Sequence, residues 1–145
     1  MRAEEVDAPG RRSASRWAAV LAVTLTATAL IPGRGLTQTA PWVAPASEKT
    51  RKNPLPDDPK SLELGRTVAR TNCVPCHGET FKGNGPAAVA LNPKPADWTS
   101  SRIQSQSDGE LFWKISGGRG AMPSWKQLPE KERWAVLRFM RTLTR

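Results

Sequence analysis

The sequence predicts a small all-α domain over residues 61–145, built from about four short helices. Three observations point that way. Apolar residues recur at helical spacing between clear start and stop signals, and no segment alternates like a half-buried strand. The chain also carries 13 prolines and 11 glycines, which punctuate the helices with long loops.

The first helix is announced by "DPKSLELGRTVARTN", with Asp58 as N-cap and Pro59 at the first helical position. Leu62, Gly65, Val68, Ala69 and Asn72 then share one face at ~100° per residue. A glycine in the middle of that face costs up to about 1 kcal/mol against alanine. A second helix crossing closely at Gly65 would justify it. "GPAAVALN", residues 85–92, reads as a short helix started by Pro86 and stopped by "NPKP". "SDGELFWKISGG" opens on a capping box, Ser107 with Glu110, and closes on Gly117 and Gly118. The last helix begins at Pro129 with Glu130 and Glu132 and ends among Arg138, Arg141 and Arg145, so both ends suit the helix dipole. Its apolar stripe is Val136, Leu137, Phe139, Met140 and Leu143, while Trp134 falls toward the arginine side. Trp134 is therefore expected to cap a neighbouring loop or to lie partly exposed.

Residues 1–46 read as an export signal, the alternative being a retained N-terminal membrane anchor. Residues 17–31, "WAAVLAVTLTATALI", hold no charge, with Arg11, Arg12 and Arg16 before them and "PGRG" behind. Fifteen residues at ~1.5 Å each reach about 22 Å of a ~30 Å hydrocarbon layer, which favours export over a permanent span. Two cleavage sites stay open: "TQTA", which ends at Ala40 before a proline, and "APA", which ends at Ala46 and fits the small-x-small rule but lies far from the apolar run. Residues 47–60 read as a Pro-rich extended linker. The working domain is thus expected outside the cytoplasm, in a periplasmic location.

The net charge is +9 and the pI about 10.4. From Pro41 onward there are 17 basic and 10 acidic side chains. A nucleic-acid role is set aside, since no helix-turn-helix and no ladder of stacking aromatics accompanies the charge. An acidic protein surface is the better partner for it, with plain solubility as the alternative. Six tryptophans and no tyrosine in so short a chain suggest a bulky, flat object to pack against, or simply a tryptophan-filled core.

Both cysteines and the only histidine fall in one pentapeptide, Cys73-Val74-Pro75-Cys76-His77. A disulfide between Cys73 and Cys76 would close a very short loop and stabilise little. A thioredoxin-like pair follows a strand, whereas this segment follows a helix. A structural zinc site needs four ligands, more than these residues supply without carboxylate or water. The remaining reading is covalent haem c attachment, of which C-x-x-C-H is the signature. Two thiols three residues apart reach the two vinyl carbons of a porphyrin, and the adjoining histidine is carried beneath the iron. Export fits this reading, because the haem is attached after translocation.

With "LGRTVARTNCVPCHG", "GNGPAAVALNPKPADW", "DGELFWKISGGRGAMPSW" and "LPEKERWAVLRFMRTL" in this order, residues 61–145 resemble a class I monohaem c-type cytochrome of bacterial type. The resemblance implies a small cytochrome c fold wrapped round one covalent haem c, with Cys73 and Cys76 as attachment points and His77 as axial ligand. It makes Met122, in the glycine-rich loop "GGRGAMPSW" and 45 residues after His77, the second axial ligand. The resemblance also implies that the Pro86 carbonyl accepts the Nδ1 proton of His77, and that Gly65 meets Phe139 where the first and last helices cross. Trp98 and Trp125 are candidates to hydrogen-bond the haem propionates, with ordinary packing as the alternative.

The implied function is one-electron transfer in a periplasmic or respiratory chain, by a carrier that is not itself an enzyme. Its partners would be redox proteins with an acidic docking surface. The alternative keeps the fold and fixes the domain as a haem-bearing subunit of a membrane-bound respiratory or dehydrogenase complex.

Overall fold

The structure, a computed structural model, describes residues 41–144. Among these residues there are six α-helices: α1 (Ala46–Lys49), α2 (Pro59–Asn72), α3 (Val74–His77), α4 (Ser101–Gln104), α5 (Asp108–Gly117) and α6 (Glu130–Met140). Two 3-10 turns, Pro86–Ala90 and Arg141–Thr144, complete the described secondary structure, apart from one isolated bridge between Arg119 and Met122. The four expected helices correspond to α2, the first 3-10 turn, α5 and α6. The expected export segment at residues 17–31 lies outside the described residues. No helix among the described residues is long and apolar enough to cross a membrane.

Local chemistry sets the helix ends. The Asp58 carboxylate accepts the Ser61 amide at 2.7 Å and so starts α2. Ser107 and Glu110 cap each other reciprocally at the start of α5. α2 and α6 form the main helix pair, and they cross at Gly65. A Cβ at that position would sit 1.9 Å from the Ala135 carbonyl oxygen and 3.1 Å from Phe139 Cβ. Only a residue without a side chain allows this backbone approach. The core gathers beneath the crossing: Val68, Ala69, Phe81, Trp98, Leu111, Phe112, Leu137 and Met140 are all buried. The C-terminal end is pinned by Arg141, whose guanidinium meets Asp108 at 2.8 Å and donates to the Gln104 and Gln106 carbonyls.

Two expectations need correction. Residues 47–60 are not an extended linker, because the stretch from Ala44 to Leu55 lies against α5 and α6. The Arg51 guanidinium sits 4.4 Å above the Phe112 ring and 5.0 Å from that of Trp134, and bonds the Glu130 carboxylate at 2.7 Å. Asn53 donates to the Trp134 carbonyl at 3.0 Å, and Arg138 Nε donates to the Leu55 carbonyl at 2.9 Å. Trp134 in turn is neither exposed nor a loop cap. It is 1 % exposed, stacks on Phe112 with centroids 3.9 Å apart, and donates its indole N–H to Glu130. The face of α6 that looks solvent-facing in sequence is covered by this N-terminal strap.

Candidate functional site

α2 hands the chain directly to the cysteine-histidine motif. Cys73 caps α2, and α3 follows at once as a single turn from Val74 to His77, ended by Gly78. Cys73 and Cys76 carry free thiols and are both half-buried. Burial, helped by the neighbouring Cys76, pushes the Cys73 thiol up to about 12. His77 is buried, and its burial lowers its pKa despite the opposing effect of a hydrogen bond to Ala96. The imidazole is therefore neutral near pH 7.

The same hydrogen bond decides the tautomer. His77 Nδ1 lies 2.9 Å from the Ala96 carbonyl oxygen, which can only accept. Nδ1 thus carries the proton, and Nε2 keeps the lone pair needed to ligate iron. The acceptor is not the Pro86 carbonyl, as the resemblance had implied. Pro86 opens a 3-10 turn, in which each carbonyl serves the amide three residues on. The Pro86 turn adjoins the motif through its backbone instead, the Gly85 amide donating to the Cys76 carbonyl at 3.1 Å.

The remaining candidate residues converge on one apolar cluster. Trp98 is buried, with its ring 4.9 Å from that of His77 and stacked 4.7 Å from that of Phe81. Cys73, Met122 and Trp125 are half-buried and pack against the cluster that contains Trp98 and Phe81. Met122 is held by a tight backbone exchange, its carbonyl accepting from the Arg119 amide at 2.8 Å and its amide donating back at 3.1 Å. Trp125 donates its backbone N–H to the Ile115 carbonyl. Among the described residues no three His, Cys, Asp or Glu side chains gather as a metal-binding group, so no zinc-type site is assembled there. Two residues that sequence reasoning missed belong here: Ala96, which contributes only a backbone oxygen, and Phe81, which no motif marks.

The sequence profile of the family described as "Cytochrome C oxidase, cbb3-type, subunit III" matches residues 60–140. The chain belongs to this family of c-type cytochrome domains. A cbb3-type cytochrome c oxidase subunit CcoP from Azospirillum brasilense is 31% identical over 71 residues, covering 48% of this chain and 24% of that protein. The chain thus spans about a quarter of that curated relative's length. A chain of the reducing HAO-like protein complex Kustc0457/Kustc0458 from Kuenenia stuttgartiensis is similar in fold, with a TM-score of 0.56 and 24% identity over 63% of this chain and 47% of that one. A monohaem cytochrome c domain of this family binds haem c covalently and serves haem-mediated electron transfer. The donor set present fits that group: two free thiols flank one turn, and the histidine beside them is neutral with its Nε2 lone pair available.

Proposed function

We propose that this domain passes single electrons through one haem c held by four of its residues. Cys73 and Cys76 would supply the two thioether links, and His77 and Met122 would ligate the iron. The observation that carries this reading is the His77 Nδ1 bond to the Ala96 carbonyl, which fixes the tautomer a ligating imidazole requires. When bound, the haem supplies a one-electron ferrous–ferric couple. The protein's part is to hold the ligands still and to keep water from the site. Trp98 and Phe81 form an aromatic wall beside His77, and the Met122 loop is tied by its exchange with Arg119. With His77 and Met122 both ligating the iron, no coordination site would be left for oxygen or peroxide, and the domain would act as a carrier and not a catalyst. Trp98 and Trp125 also remain candidates for propionate contacts, and Pro86 shapes the loop beside Cys76.

The domain acts outside the cytoplasm, as the export-type segment at residues 17–31 supports. Its place is as a haem-bearing subunit of a membrane-bound respiratory assembly, a reading supported by the oxidase-subunit family and by the oxidase-subunit relative. A diffusing periplasmic shuttle is the second reading. The excess of basic over acidic side chains favours docking on an acidic surface of a redox partner, with an on-rate that falls as salt rises. Extraction of the purified protein with acidified organic solvent tests the attachment. Haem should stay on the chain in the wild type and be lost on replacing both Cys73 and Cys76 by serine. Haem that extracts freely from the wild type would refute it. Determining the N-terminus of the mature protein, and its recovery from membranes in mild detergent, separates subunit from shuttle.

A further inference from the structure

The loop between the histidine and the segment that supplies its hydrogen-bond acceptor touches that segment at two points. The first is Phe81, whose carbonyl accepts the Trp98 amide at 2.8 Å while its ring stacks on the Trp98 indole. Phe81 does this at φ 56, a left-handed conformation that bulky residues rarely adopt, and it is 2 % exposed. Such a conformation persists only where the surroundings over-determine it. The second point is Gly83, at φ 77, where a Cβ would lie 2.1 Å from the Pro95 carbonyl oxygen and 3.4 Å from the Ala96 carbonyl carbon. The Gly83 amide also donates to the carbonyl of His77 itself at 2.8 Å. One short loop therefore grips the histidine's backbone on one side and the Pro95–Trp98 segment on the other. Beyond the loop, Asp97 folds that segment by accepting from the Thr99 amide and hydroxyl, and Gln104 donates to the Trp98 carbonyl.

We propose that Phe81 and Gly83 are positioning residues for His77, bracing the Ala96 carbonyl against Nδ1 so that this loop sets the reduction potential of the iron. The inference rests on His77 being the haem ligand. A hydrogen bond at Nδ1 makes the ligating imidazole more basic, and a more basic ligand favours the ferric state. Loosening the brace lengthens the bond and raises the potential.

The test uses the holoprotein with Gly83→Ala and Phe81→Leu, reading the midpoint potential and, by NMR, the exchange rate of the His77 Nδ1 proton. Both variants should keep covalent haem and a low-spin spectrum, shift the midpoint upward and exchange the proton faster. Gly83→Ala pushes directly on Pro95. Phe81→Leu adds no bulk and carries the test alone if the alanine variant does not accumulate with haem. A Phe81→Leu protein that melts earlier but keeps the wild-type potential and exchange rate would make Phe81 an ordinary core residue and overturn the proposal. His77→Ala, run in parallel, separates this from the ligand assignment. Loss of the low-spin spectrum there upholds His77 as ligand, whereas an unchanged spectrum removes the basis of the brace itself.

Discussion

Gly65 and Ala135 meet backbone to backbone, with the Ala135 carbonyl oxygen 1.9 Å from where a Gly65 Cβ would be. Adding a methyl group there forces α2 and α6 apart above a core in which Ala135 and Leu137 are wholly buried. Gly65→Ala should therefore destabilise the holoprotein by about 3 kcal/mol, the scale of overpacking a tight core, although alanine is the better helix former. Denaturant unfolding followed at the haem absorbance measures it. A neutral or stabilising outcome would show that the two helices do not cross there.

The strap gives a second expectation. Arg51 stacks on Phe112 and Trp134 and pairs with Glu130, but its side chain is 40% exposed, so solvent screens much of the ion pair. Arg51→Ala should cost about 1 kcal/mol, and Arg51→Lys should recover only part of it, since lysine lacks the flat face for stacking. Limited proteolysis gives a readout tied to the strap: cleavage between residues 44 and 55 should accelerate in the alanine variant.

With Met122 as the proposed second iron ligand, Met122→Ala should free a coordination site. The ferrous protein should then bind carbon monoxide rapidly, the weak far-red methionine–iron band of the ferric form should vanish, and the midpoint potential should fall. An unchanged midpoint would remove Met122 from the ligand set.

Acid should weaken the fold through three carboxylates. Asp58 is held below its ordinary range mainly by the Ser61 amide, Asp97 mainly by the Thr99 hydroxyl and then its amide, and Glu110 mainly by the Ser107 amide. Each is lowered in the folded state, so each contributes stability above its unfolded pKa that is lost as pH falls through its depressed folded value. Melting temperatures measured from pH 7 downward should drop below about pH 4, near the ordinary carboxylate range. Asp97→Asn with Glu110→Gln should flatten that drop, and an unaltered slope would show that other groups drive it.

The elements that sequence reasoning located are those whose signals are side-chain chemistry at fixed spacing. Asp58 and Pro59, the Ser107–Glu110 capping box and the misplaced-looking Gly65 each mark a helix end or crossing that the structure contains. The single turns α1, α3 and α4 have four residues each, too few for any periodicity to register. The strap was hidden by its prolines, which read as an extended chain. It docks through one cation over two rings and through backbone carbonyls, neither of which leaves a pattern in sequence. Trp134 was misjudged for the same reason, since its cover comes from a segment some 80 residues earlier. At the candidate site, the thiols, histidine and methionine proposed to hold the haem announce themselves by type. The acceptor for Nδ1 does not, because any residue at position 96 other than a chain break offers the same carbonyl.

The docked strap also shortens a leash. As free chain, the 17 residues from Pro41 to Asp57 would let the domain wander by about 20 Å root-mean-square from whatever precedes them. With Ala44 to Leu55 folded onto α5 and α6, the stretch contributes little of that freedom. A redox partner tethered to the chain ahead of Pro41 would meet the domain within a smaller volume, at an effective concentration set by the fold and not by the length of the intervening sequence.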